Sequence, residues 1–366
     1  MRRILAAMFI ITLGIGITGI VLPLYAWDLG ASYTEVGLLG ITYIAFNVLL
    51  SVPVGRASDR FGRKMPLILG MLSISIVFLL YSWQASVIWL LLIRLVQGVV
   101  ESPIWINAQT AIADLSPRDE RGQAMGRYGF SWSLGFAIGP VIGGFLYATV
   151  GAIGAFVLCA ILGGIGTLIV AGISVPDPKV TFEKTSLEGI WRPCVVGFVY
   201  VGILGLIVTL FPPYGRELGM TATTVGILIT LFGVVRAILL VPLGDLADKL
   251  SYRKVILMGL GGIAIASLGV GLFSSFLLLT LVFLLLAWSE GAIYPAAVSM
   301  ASEIGKGKNR GYVLGIFNAS TMAGWGIFAT VGGSAADTLG SKTPYFMSAI
   351  IAFVVLISMW KFLPEE

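Results

Sequence analysis

Val52-Pro53-Val54-Gly55-Arg56-Ala57-Ser58-Asp59-Arg60 returns in the second half of the chain as Val241-Pro242-Leu243-Gly244-Asp245-Leu246-Ala247-Asp248-Lys249. The interval that separates Asp59 from Asp248 also takes Pro23 to Pro212, Gly30 to Gly219, Glu101 to Glu290, Arg121-Gly122 to Arg310-Gly311 and Gly143-Gly144 to Gly332-Gly333. Matches spread this widely over 366 residues mean that one unit has been duplicated head to tail.

Around these charged stretches the chain is apolar. It is 58% hydrophobic and 11% charged, with a mean hydropathy of +0.99, which excludes a water-soluble domain of ordinary composition. A spanning helix needs about 20 apolar residues. Twelve such stretches fit, near 4–27, 34–55, 65–83, 86–109, 121–149, 152–174, 193–215, 221–243, 255–273, 276–301, 310–335 and 343–363. The expectation is an all-α membrane protein of 12 transmembrane helices in two six-helix bundles, 1–173 and 193–366, joined by a linker at 174–192. Internal duplication in a chain of this kind points to transporters whose two halves rock about a central site.

Nineteen of the 23 Lys and Arg residues fall at or near one set of loops and termini, and the opposite face has only Arg216 and Lys342. The positive-inside rule therefore predicts both termini in the cytoplasm of a multi-pass protein of the plasma or inner membrane. The net charge of +5 is read as topology, so no nucleic-acid partner is expected. The first span follows Met1-Arg2-Arg3, runs long for a signal peptide and is followed at once by a second, so it is read as an uncleaved helix. Cys159 and Cys194 lie in or at the edge of spans and suggest neither a disulfide nor a metal motif. With no histidine in the chain, any proton coupling must rest on carboxylates. There is no nucleophile paired with a base, no phosphate loop and no metal cluster, so neither an enzyme nor a cofactor is expected.

The loop after the second span reads Gly55-Arg56-Ala57-Ser58-Asp59-Arg60-Phe61-Gly62-Arg63-Lys64, and its copy runs from Gly244 through Asp248 and Lys249 to Arg253-Lys254, one residue longer and lacking the second glycine. GxxxDRxGRK between the second and third helices resembles the best-known motif of the major facilitator superfamily, and it occurs here twice. The resemblance implies that fold, with pseudo-twofold symmetry and a cavity lined by helices one, four, seven and ten. It also implies a cytoplasmic gate built from Gly55, Asp59, Arg60, Gly62, Arg63, Gly244, Asp248, Lys249 and Arg253. In that gate Asp59 would meet the positive start of helix eleven near Arg310, and Asp248 that of helix five near Arg121. The alternative is that these basic residues anchor the loop to lipid headgroups.

In the fourth span Arg94, Gln97, Gly98 and Glu101 share one helix face and resemble the superfamily's RxxQG motif. The copy keeps Glu290 but has Phe283 for Arg94 and Leu286 for Gln97, while the eighth span has Arg236 where the second has Asn47. Ionisable groups at this depth cost several kcal/mol facing lipid, roughly, and belong on the cavity or on each other. A buried carboxylate takes a proton more readily unless an arginine holds it ionised. Glu101 and Glu290 are therefore the candidate proton carriers, with Arg94, Gln97, Arg236 and Asn47 tuning them or binding substrate. The competing reading is a pair of buried salt bridges that only fix packing.

The fifth span carries Gly135, Gly139, Pro140, Gly143 and Gly144, which resembles the GxxxGPxxGG pattern of antiporters in the superfamily; general glycine-rich packing is the alternative. Tyr25, Trp27, Trp105, Tyr214, Trp288 and Tyr294 are candidate cavity aromatics, although Trp and Tyr also belong at membrane interfaces. Pro23, Pro103, Pro212 and Pro295 are expected to bend their helices. The resemblance is strongest to the drug/proton antiporter branch. It implies secondary active export of small amphiphilic compounds by a monomer in the lipid bilayer, in exchange for protons, with sodium the alternative ion. Uptake or facilitated passage of a sugar, organic anion or other metabolite is one rival, and a non-transporting membrane sensor or scaffold is another.

Overall fold

The structure is a computed structural model, described over residues 1–83, 86–116, 121–173, 187–304 and 310–363. Among these residues every regular element is an α-helix: α1 (Arg2–Asp28), α2 (Tyr33–Phe61), α3 (Lys64–Tyr81), α4 (Val87–Asp114), α5 (121–150), α6 (152–171), α7 (Trp191–Glu217), α8 (Ala222–Leu250), α9 (Tyr252–Leu272), α10 (Phe276–Ile304), α11 (Arg310–Leu339) and α12 (Thr343–Phe362). α5 and α6 follow each other within Arg121–Ala171 and are separated at Gly151, whose φ of 74° and ψ of 179° no helix contains.

Ten stretches among the described residues are long and apolar enough to cross a membrane, and one of them, Arg127–Ala171, holds both α5 and α6. With the 29-residue α2 this makes the twelve spans that the hydropathy pattern predicts. Trp83, Leu168 and Leu277 are at least 70% exposed, an arrangement that water penalises and acyl chains accept. The four prolines lie inside α1, α4, α7 and α10.

The duplication is written into the backbone. Gly30 and Gly219, Gly62 and Ser251, and Gly151 and Gly340 all have positive φ, and each pair is spaced as Asp59 is from Asp248. Ser251 is the only one of the six with a side chain; at φ 110° it occupies a region that belongs almost entirely to glycine, and it caps α9 by accepting from Lys254 N at 3.5 Å. Side-chain packing repeats too. A Cβ on Gly70 would run into Ile104, and one on Gly259 into Ile293; Gly135 lies on the carbonyl of Phe9, and Gly324 on that of Phe198. Gly324 thus joins Gly332 and Gly333 as the glycines that α11 retains from the Gly135–Gly144 stretch of α5.

Two compact units result: Met1–Ala31, Thr42–Val180 and Gly219–Thr230 in the first, and Ser32–Ile41, Thr181–Leu218 and Leu231–Glu366 in the second. They follow the two sequence copies except that the first residues of α2 belong with the second unit and those of α8 with the first. In the first unit α1 lies on α5 and α6, with Gly16 against Gly135 and Gly139, and Gly14 against Cys159. α3 meets α6 where Ser75 Oγ donates to Ala160 O at 2.5 Å. In the second, α7 lies on α11 through Gly197 and Phe317 and through Gly205 and Trp325, while α9 meets α10 and α12.

Candidate functional site

In the first unit a polar chain crosses the apolar interior. The approach of α2 to α4 makes it possible: Gly98 lies so close to the carbonyl of Tyr43 that a Cβ would strike it, and Asn47 Nδ2 donates to Gly98 O at 3.3 Å. Glu101, fully buried, receives three donors. Tyr43 Oη reaches Oε2 at 2.7 Å, Gln97 Nε2 reaches Oε1 at 2.6 Å and Trp105 Nε1 reaches Oε2 at 3.3 Å. Gln97 is equally buried and its amide oxygen accepts from Arg94 Nη1 and from Tyr81 Oη, both at 2.8 Å. These two donors fix the amide so that its NH₂ faces the carboxylate. The Arg94 guanidinium lies 4.7 Å from the centroid of the Tyr43 ring. Positive charge is thereby relayed through one amide to a satisfied carboxylate, which offsets the desolvation of both ends.

Beside this chain lies an aromatic cluster. Trp105 stacks on Phe136 with centroids 6.1 Å apart, and Trp132 meets each of them edge-on at 6.0 Å.

In the second unit the acid is kept and its donors are not. Glu290 is fully buried, and neither of its carboxylate oxygens has a hydrogen-bond partner among the described residues. The repeat explains this. In the second copy Tyr43 becomes Phe232 and Gln97 becomes Leu286, neither of which can donate, and Trp105 becomes Tyr294. Tyr294 lies beneath the Arg236 guanidinium at 5.6 Å, and Arg236 Nε is itself buried without an acceptor among the described residues. The buried Tyr200 on α7 is within electrostatic reach of both Glu290 and Arg236.

Of the residues the sequence singles out, the structure therefore gathers Arg94, Gln97, Glu101, Asn47 and Trp105 in one unit, and Glu290, Arg236 and Tyr294 in the other. Tyr25 packs on Phe156 at 5.9 Å, and Tyr214 on Tyr345 at 5.0 Å. Trp288 lies beside Gly262 of α9, and the Trp27 carbonyl near the end of α1 accepts from Gly30 N at 2.9 Å. The glycines of α5 divide by face: Gly135, Gly139 and Gly143 are pressed on α1, whereas Gly144 and the carbonyl of Pro140 meet Ala222 and Gly226 at the start of α8.

Of the expected gate residues, Gly62 takes a positive φ of 85°, Arg63 is buried, and Gly244 lies beside Pro295. Arg253 turns to α12, donating to Trp360 O at 2.5 Å and lying over its ring. Gly55 and the side chains of Asp59, Arg60, Asp248 and Lys249, with those of Arg121 and Arg310, lie outside what the structure describes.

Tyr43, Tyr81, Trp132, Phe136 and Tyr200 are additions that the sequence reading lacks. Only Tyr43 carried a signal, since it precedes Asn47 by one helical turn on the same face.

Comparison with known proteins covers nearly the whole chain. The chain is 28% identical to an uncharacterized MFS-type transporter of Methanocaldococcus jannaschii, over 95% of this chain and 94% of that protein. It is 27% identical to Multidrug resistance protein 1 of Bacillus subtilis, over 98% of this chain and 95% of that one. Among solved structures, a bacterial homolog of the human lysosomal transporter Spinster, inward-facing and occupied, superimposes with a TM-score of 0.83 at 15% identity, covering 98% of this chain and 95% of the other. The family model of the Major Facilitator Superfamily matches residues 4–200 and again 193–366, once for each copy of the repeat. A duplicated six-helix unit with that match along its length is a transporter of the membrane, and the chain belongs to the major facilitator superfamily.

Proposed function

We propose that the chain exports small amphiphilic compounds, cationic ones among them, in exchange for protons, with both termini in the cytoplasm of the cell membrane. The observation that carries this reading is Glu290, a carboxylate buried without a donor among the described residues. An ionised carboxylate in that setting costs several kcal/mol, roughly, and the Arg236 guanidinium acts on it electrostatically without a hydrogen bond among the described residues, so the position has room for a closer positive partner. A proton and the cationic group of a substrate are both suited to it, and they compete for one site. That competition couples two opposed fluxes without any further machinery. Glu101, held by three donors, is the fixed member of the pair, and Trp105, Trp132 and Phe136 offer it a face on which an apolar ring can stack.

Likeness to a multidrug resistance protein over nearly the full length of both chains supports the same direction and substrate class. The test is accumulation of a fluorescent cationic dye in cells lacking their own pumps. Wild type should accumulate less dye than the empty vector, and a protonophore or Glu290→Gln should erase the difference. Equal accumulation in wild type and vector would contradict export of this class and favour uptake of a metabolite.

A further inference from the structure

α2 starts at Tyr33, where the amides of a first helical turn lack partners within the helix. Those of Tyr33 and Thr34 find one in Asp337, near the far end of α11, while that of Glu35 donates to Ser32 Oγ at 3.2 Å. Tyr33 N donates to Oδ1 at 2.8 Å, Thr34 N to Oδ2 at 2.7 Å and Thr34 Oγ1 to Oδ2 at 2.5 Å. The carboxylate thus caps a helix from another element and meets the positive end of its dipole.

Beneath this cap runs a seam of small residues. Gly333 lies on the carbonyl of Tyr33, Gly37 on that of Ala329 and Gly326 on Cα of Ile41, while Thr330 Oγ1 donates to Gly37 O at 3.3 Å. Along it the first turns of α2 run antiparallel to α11. A seam this close leaves no room for a side chain between the backbones and is held by van der Waals contact together with the Thr330 hydrogen bond.

The copy has the seam without the acid. Ala222 and Gly226 of α8 lie on Gly144 and Pro140 of α5 as Tyr33 and Gly37 lie on Gly333 and Ala329, each residue matched to its equivalent in the repeat. At the position of Asp337, however, stands Ala148, and Thr223, the equivalent of Thr34, makes only a long hydrogen bond to Gly144 O at 3.4 Å among the described residues. Of two equivalent seams, one is pinned by charge.

We propose that Asp337 is a reversible pin at the end of the helices remote from the chain termini. It holds the start of α2 as the gate motif would have Asp59 hold the start of α11, and release of Asp337 accompanies opening of the seam. The inference rests on alternating access and is independent of what is carried.

The test uses the full-length protein in lipid nanodiscs with Thr330→Cys in the seam, Cys194→Ser, and the buried Cys159 retained as an internal report of unfolding. Labelling by a charged maleimide is followed at each cysteine by mass spectrometry. With Asp337 present, position 330 should label slowly. Asp337→Ala and the isosteric Asp337→Asn should each raise its rate several-fold while Cys159 stays unlabelled. Unchanged labelling at 330 in the Asn variant would overturn the pin. So would a rise at 330 in that variant matched by an equal rise at Cys159, since it would report a role in folding alone. Because labelling needs no substrate, a protein that exports no dye would refute the export reading and leave this one standing.

Discussion

Glu101 and Glu290 are the same residue of an ancestral unit in two environments, and the difference lies in three neighbours. Tyr43, Gln97 and Trp105 donate to Glu101, whereas Phe232, Leu286 and Tyr294 leave Glu290 without a donor among the described residues. Charge-assisted hydrogen bonds stabilise by about 1.5–3 kcal/mol each and cost as much when broken inside a protein. Glu101→Gln should therefore lower the melting temperature of the purified protein by several degrees, because three donors lose their charged acceptor. Glu290→Gln removes a charge that no hydrogen-bond donor among the described residues satisfies, so its melting temperature should hold or rise even as export is lost. Thermal unfolding of both variants in one detergent decides between this account and a pair of structural ion pairs, in which both substitutions would destabilise alike. The acids were legible in the sequence because an ionisable group in an apolar span has few bland explanations. Their neighbours were not, because a Tyr or Phe in a span has many.

At the scale of the element, the site depends on how closely α2 approaches α4. The carbonyl of Tyr43 sits where a side chain at position 98 would begin. Gly98→Ala must push the two helices apart, at a cost of roughly 1–3 kcal/mol, and it moves the Tyr43 hydroxyl off Glu101. The expected result is a lower melting temperature together with lost transport. Gly164→Ala, where Ser75 Oγ, the nearest atom, is 3.9 Å from the added carbon, should leave both unchanged. Spans and their order followed from hydropathy alone, because each helix needs only enough apolar length. Which helices touch through which glycines did not follow, since 47 glycines offer many possible seams and the chain does not announce register. Ser251 makes the same point: nothing in its surroundings marks a positive φ until it is laid over Gly62.

Over the whole molecule, the fixed interval of the repeat carried more information than any motif. It aligned Gly30 with Gly219, it relates the turns that the structure shows at Gly151 and Gly340, and it explains the loss of the donors around Glu290 without recourse to any other protein. What it did not reveal is that the first turns of α2 and α8 pack with the unit opposite their own copy, a consequence of the small residues at 37, 144, 226 and 333. Duplication supplies symmetry, and the departures from it assign the roles: a bare acid in one unit, a satisfied acid in the other, and an acid pin on one seam of two.

Counterflow in proteoliposomes tests most directly whether a proton and a cationic amphiphile compete for buried carboxylates of this chain. With purified protein reconstituted into sealed vesicles and a pH-sensitive dye trapped inside, addition of a lipophilic cation outside should drive protons in the opposite direction. The rate should saturate with the cation, vanish for Glu290→Gln and vanish in protein-free vesicles. Cation movement by wild type with no accompanying proton flux would contradict the account.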